Sequence, residues 1–420
     1  MKLTLYRHIV REHFDNKMRC VLGIILIVTT IVTYIQFSPA RELGNSYDEL
    51  IGSLEGPFTN EKDKKIEFFR SEYQKISEIV YDDLNHMLLE DITDKSSQND
   101  ELYQEMLNES NKYLSQKGKY GATIQDDMLM LSKLINQYDV LRAAPSNQKK
   151  QAEGYLRNSN RQGAGGNQLY WNLLYEKNNS LEEPDFYDTR PIECFFTSFS
   201  TDWIFILFIV FCVSSVFTSD YEKRKYLLLR ITNSYGKRLA FYKLLSAFSI
   251  TMLCVLLSFG ANFLILLLHT QNFYVLLEPI QSVSVYASSV NPMSILEFIA
   301  LMVIEKFVQY ACITFVVASI SLLCRKITLT IIFAFTILTS SVIIEKFVDT
   351  LVDSEHRIVI NLFTAITPES YNKMDEYVLW GNRLVPYYGI MFGGMFALVI
   401  LSLLVIIWNY KKVAQFIYSR

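Results

Sequence analysis

Six apolar stretches divide this chain of 420 residues, and one long polar block separates the first from the second. The stretches cover residues 20–37, 201–218, 244–268, 306–324, 327–344 and 388–408. A hydrocarbon core of about 30 Å needs about 20 helical residues, and each stretch is near that length. The runs are continuous rather than alternating, which excludes strands of a membrane barrel. The predicted fold class is an all-α polytopic membrane protein, with six transmembrane helices plus a mostly helical extracellular domain.

Charge is split along the chain. The net charge is -3, but residues 38–200 carry about ten more acids than bases, and the remainder about seven more bases than acids. The acidic block reads as a solvated domain and the basic remainder as membrane-flanking segments. A nucleic-acid partner is not expected, because no strongly basic domain exists. Of the six cysteines, only Cys194 belongs to the acidic block, so that block holds no internal disulfide. At about 160 residues it is large enough to fold on its own core.

Lysine and arginine near span ends set the orientation. Lys2, Arg7, Arg11, Lys17 and Arg19 precede the first span. Lys223, Arg224, Lys225, Arg230, Lys237, Arg238 and Lys243 fall between the second and third, and Arg325-Lys326 joins the fourth to the fifth. Lys411, Lys412 and Arg420 follow the sixth. A six-span count puts all of these on one side. The reading is a multi-pass protein of the cell membrane with cytoplasmic N- and C-termini and residues 38–200 extracellular. Residues 1–19 form a cytoplasmic amphipathic helix, 219–243 a cytoplasmic loop, and 411–420 a cytoplasmic tail. Residues 244–410 hold spans three to six with their outer loops.

Two acid–base pairs, Glu305-Lys306 and Glu345-Lys346, lie about 20 residues either side of Arg325-Lys326. That count puts both at the outer interface, where such charges pair or snorkel. Within the outer domain, Ile66, Phe69, Tyr73, Ile76, Val80, Leu84, Met87 and Leu88 repeat at helical spacing. Further helices are expected over 99–116 and 124–141, the latter stopping near Pro145, with another starting around Asn147. The outer loops 269–292 and 347–385 are apolar and aromatic, as suits short helices dipping into the outer leaflet. Gly389, Gly393 and Gly394 allow close helix approach in the sixth span.

Chemistry-bearing motifs are missing. No P-loop run and no Gly-x-Ser-x-Gly elbow occurs, and the five histidines have no metal-ligand spacing. The carboxylate runs fit a solvated helix face. The chain is therefore read as a non-enzyme without a metal or cofactor of its own.

The segment 220–243 reads DYEKRKYLLLRITNSYGKRLAFYK. It resembles the cytoplasmic loop of type-2 ABC exporter permeases: an acid after the second span, a leucine-rich stretch, a polar turn, then basic residues before the third span. Glu222, Leu227, Leu228, Asn233, Arg238 and Lys243 follow that order. Tyr226 and Tyr235 stand near the places where the family often has Gly and Pro. The layout of amphipathic start, six spans and dipping segment before the last span also resembles the family.

The resemblance implies that this loop is a coupling helix docking on a separate dimeric ABC ATPase subunit, which binds ATP and Mg. It also implies a second permease chain, identical or different, with the pathway between the two. The implied function is export, across the cell membrane, of an amphipathic or hydrophobic cargo such as a peptide, a lipid-linked molecule or a drug. A membrane sensor or scaffold whose outer domain binds a ligand or partner is the alternative reading. A mechanotransmitting relative is a third, against which the six spans count.

Overall fold

The computed structural model describes residues 16–42, 49–90, 112–119, 123–161, 166–181, 183–200, 203–222, 235–270, 272–351, 377–380 and 383–418. The chain is mostly helical. Its helices are α1 (Asn16–Glu42), α2 (Asn60–Glu90), α3 (Ile124–Arg161), α4 (Gly166–Asn179), α5 (Arg190–Ser200), α6 (Trp203–Glu222), α7 (Tyr235–His269), α8 (Ile295–Cys324), α9 (Ile327–Leu351) and α10 (Tyr387–Tyr418). Strands β1 (Tyr377–Trp380) and β2 (Arg383–Pro386) pair antiparallel, with Tyr377 opposite Pro386 and Trp380 opposite Arg383.

Helices α1, α6, α7, α8, α9 and α10 contain the six apolar stretches. Among the described residues, three segments are long and apolar enough to cross a membrane: Leu239–His269, Ile295–Cys324 and Tyr388–Asn409. Shorter apolar segments occupy Cys20–Ile35, Ile204–Asp220 and Ile327–Ser340. Ile24, Ile27, Leu256, Leu264, Phe396 and Trp408 are more than half exposed. Large apolar side chains in that number are costly in water and suit a lipid-facing surface.

The chain divides into two compact units. The first comprises Met1–Gln36, Cys194–Gln271 and Glu297–Arg420. Its core is a helix bundle centred on Phe205, Ile209, Val213, Phe217, Cys254 and Tyr310. Hydroxyl groups tie the helices together, as is common between apolar helices. Thr251 and Thr314 share a hydrogen bond of 2.6 Å between α7 and α8, and Ser319 donates to Ser402 O at 3.2 Å between α8 and α10. Thr33 donates to Asn262 Oδ1 at 2.9 Å between α1 and α7.

Gly389 and Gly393 of α10 do not serve the close helix approach expected of them among the described residues. A Cβ on Gly393 would meet nothing within 4 Å, and one on Gly389 would only touch Val385, 3.6 Å away on its own flank. Gly393 lies on an exposed face.

The second unit comprises Phe37–Glu193 and Asn272–Leu296. Its core gathers Leu54, Ile66, Phe69, Leu131, Leu134, Tyr138 and Phe186. Each fully buried side chain of this size contributes roughly 1.5–3 kcal/mol. The stripe read along 66–76 does face inward: Ile66 and Phe69 are buried, and Tyr73 and Ile76 pack on the same core.

A reciprocal cap starts α3. Thr123 Oγ1 accepts from Asp126 N at 3.1 Å, while Asp126 Oδ2 accepts from Thr123 N at 2.9 Å. The helix then continues through Pro145 instead of stopping near it. Proline removes one helical N–H, and α3 offsets that loss by packing along α4, where Tyr155 stacks on Trp171 at 5.4 Å. The helix expected over 99–116 lies mostly outside the described residues, as do residues 1–15.

The loop after α7 belongs to this second unit, which the sequence reading did not foresee. It forms 3-10 turns at Phe273–Leu277, Ile280–Ser282 and Ser284–Tyr286. Ala287 enters the core, Gln148 Nε2 donates to Ala287 O at 3.3 Å, and Ser284 Oγ donates to Glu193 Oε1 at 2.7 Å. Gln281 is buried and bridges Ser289 O and Asn291 O, each at 2.9 Å. Phe273, Tyr274 and Leu277 stay exposed. In the other loop, residues 377–386 pair as a hairpin rather than a short helix, in keeping with their β-branched and aromatic content.

Candidate functional site

The most constrained polar arrangement of the first unit lies where α6 ends and where α7 and α9 begin. Lys243, two turns into α7, is buried. Its Nζ donates to Asp220 Oδ2 at 2.5 Å and to Val216 O at 2.8 Å, and lies 5.8 Å from the centre of the Phe217 ring. The cation therefore meets a carboxylate, a carbonyl and an aromatic face, all from the last turns of α6. A helix C-terminus carries partial negative charge, which adds to the attraction.

Two residues further on, Glu222 reaches a third helix. Its Oε1 accepts from Ile327 N at 3.0 Å. Ile327 opens α9, so this bond satisfies one of the four N–H groups that a helix start leaves open. The negative charge also suits the positive end of α9. The α8–α9 connection is a two-residue turn, and Arg325 adopts φ 57° within it. That left-handed conformation costs a non-glycine residue roughly 1 kcal/mol, and it lets the chain reverse at once.

One turn deeper, Ser321 of α8 locks onto α6. Its Oγ donates to Ser214 O at 3.0 Å and accepts from Phe217 N and Thr218 N at 3.2 Å each. Four helices thus meet at this end through side-chain hydrogen bonds.

Of the residues singled out from the sequence, Glu222 and Lys243 belong to this arrangement. Leu227, Leu228 and Asn233 lie outside the described residues. Arg238 lies in α7, and its side chain is likewise outside them. Asp220, the acid that holds Lys243, was read only as the start of the segment. An acid two residues before an apolar helix ends, with a lysine two turns into the next, was the available signal.

The charge pairs are elsewhere. Glu345 and Lys346 lie in α9, with side chains outside the described residues. Glu305 and Lys306 lie ten residues inside α8 and are 0% and 3% exposed. Snorkelling requires a path to water, and this burial removes it. Lys306 Nζ sits 5.7 Å from the centre of the buried Tyr310 ring. Both oxygens of Glu305 and both amide atoms of Gln309 are buried without a hydrogen-bond partner among the described residues.

Among the described residues, no group of three or more His, Cys, Asp or Glu is placed to hold a metal ion. In comparisons with known proteins, no family model, curated protein or solved structure matches the chain. At the α6–α7–α9 end, both roots of the 223–234 segment are tied to the bundle.

Proposed function

We propose that the chain is the permease subunit of an ATP-driven exporter of the type-2 ABC kind. In this reading all six apolar helices cross the cell membrane, the termini are cytoplasmic, and the second unit is extracellular. A separate ATPase pair docks on the segment 219–243, and a second permease chain completes the pathway. The cargo is amphipathic or hydrophobic.

One observation carries the reading. The buried Asp220–Lys243 pair joins the two ends of the segment, and Glu222 joins the same place to α9. A push on the segment from below would therefore move α6, α7 and α9 as a set. An unclamped loop would dissipate such a push in its own flexibility. Alternating exposure of a site needs this kind of rigid-body linkage between a driven surface and the bundle.

The test is co-purification of the chain from its native membrane with any ABC ATPase that it retains, followed by Lys243→Met. The expected outcome is a complex whose ATPase activity loses its response to cargo while membrane insertion persists. A purified chain that never retains an ATPase would defeat the reading and favour a sensor or scaffold.

A further inference from the structure

Glu305 and Gln309 are four residues apart on α8 and so lie on one face, one turn apart. They are 0% and 1% exposed, and none of their four terminal oxygen and nitrogen atoms has a hydrogen-bond partner among the described residues, although the opposite charge of Lys306 acts on Glu305. Buried polar groups are nearly always hydrogen-bonded, and a buried carboxyl without hydrogen bonds is costly to keep. Two such groups in adjacent turns of an apolar helix require a reason beyond packing. Ionisable residues in membrane segments commonly mark pathways.

Helix register says where they face. Cys312 packs on Met395, and seven residues later Ser319 donates to Ser402 O, also seven residues on. Helices α8 and α10 therefore run parallel with a heptad offset along this seam. One heptad back from Cys312 is Glu305, which continues the same stripe along α8, with Gln309 one turn on. A second copy of the chain cannot touch a side chain that is 0% exposed, so its partner must be small enough to enter the seam.

We propose that Glu305 and Gln309 form a recognition site for the ammonium head of an amphipathic cargo. Glu305 Oε1, Glu305 Oε2 and Gln309 Oε1 give three acceptor oxygens within one turn. An ammonium group has three donors and no acceptor, so it matches them in number. An anionic head offers these acceptors no donor, and a neutral alcohol offers only one. The site opens when α8 moves from its neighbours, an opening that the chain samples by itself and that an alternating-access cycle would drive. To that extent the assignment of a cargo rests on the exporter reading.

Binding is tested on the full chain in zwitterionic nanodiscs without any ATPase, using labelled dodecylammonium as probe and dodecanol as the neutral control. Wild-type protein is expected to prefer the amine by about tenfold, equivalent to about 1.4 kcal/mol. Glu305→Gln is expected to abolish that preference, and Gln309→Leu to weaken it. Glu297→Gln, an exposed acid two turns earlier on α8, is expected to leave it intact. Equal wild-type affinity for amine and alcohol would overturn the site even if the variants fail to fold. So would Glu305→Gln protein that stays monodisperse and keeps the preference. Because no ATPase is present, loss of the exporter reading would leave these affinities unchanged, and loss of the site would leave ATPase association unchanged.

Discussion

Lys243 Nζ lies 2.5 Å from Asp220 Oδ2, and the two side chains are only 3% and 11% exposed. Removing one partner would leave the other buried and uncompensated, which typically costs roughly 3–5 kcal/mol. Asp220→Asn and Lys243→Met are each expected to destabilise the bundle by that order. The double variant is expected to recover a large part of the loss. Thermal unfolding in nanodiscs measures the cycle; additive losses would mean that the pair is not coupled.

Glu222 tests the α9 start. Glu222→Ala is expected to cost about 1 kcal/mol locally and to speed hydrogen exchange at the Ile327 amide, with little change in α7. Unchanged exchange there would show that another acceptor serves the helix start.

The α8–α9 turn gives a complementary prediction at Arg325, whose φ of 57° glycine adopts without cost. Arg325→Gly is expected to hold or raise the melting temperature. Arg325→Val is expected to lower it, through a loss of stability of roughly 1–2 kcal/mol, because a β-branched residue is poorly tolerated at positive φ. A valine variant that melts with the wild type would mean that the turn adopts another shape.

The helices were legible because apolar runs of such length have few alternatives in a chain. All six stretches are helical, and Ile66 and Phe69 face inward as their spacing indicates. Pro145 misled, because propensity is a local preference that the long α3–α4 contact overrides. The loop after α7 misled for a similar reason: its apolar residues fit a leaflet or a protein core equally well, and only the fold brings Ala287 beside Gln148. At the candidate site, Glu222 and Lys243 stood out as charges flanking apolar runs. Asp220 was masked by its place inside the helix, since burial and pairing are tertiary facts.

Glu193 provides a pH test of the second unit. Burial pushes its carboxyl above the ordinary range, and the hydrogen bonds from Ser284 and Thr189 only partly oppose this. A raised folded-state value means that the folded state holds the proton more tightly than the unfolded chain does. Stability is then lost as pH rises from the ordinary carboxyl range through the raised value. Asp185 shifts the same way, again through burial, against the nearby Lys62. The second unit is expected to gain resistance to proteolysis between pH 7 and pH 5, and Glu193→Gln is expected to flatten that dependence. The same slope in the variant would assign it to other groups.

Two glycines of the second unit separate steric need from helix propensity. A Cβ at Gly118 would lie 2.3 Å from Thr123 O and 2.7 Å from Asp127 Oδ1. Thr123 is the cap of α3, and the buried Asp127 accepts from the Lys119 N–H, so neither can move without loosening the helix start. Gly118→Ala is therefore expected to cost roughly 1–3 kcal/mol. At Gly154, inside α3, an added Cβ would meet nothing within 4 Å. There alanine only improves helix propensity, and Gly154→Ala is expected to stabilise by roughly 0.5–1 kcal/mol. Opposite shifts in the unfolding of the second unit, measured in the full chain, would confirm both local environments. Shifts of the same sign would mean that the α3 start is built differently around residue 118.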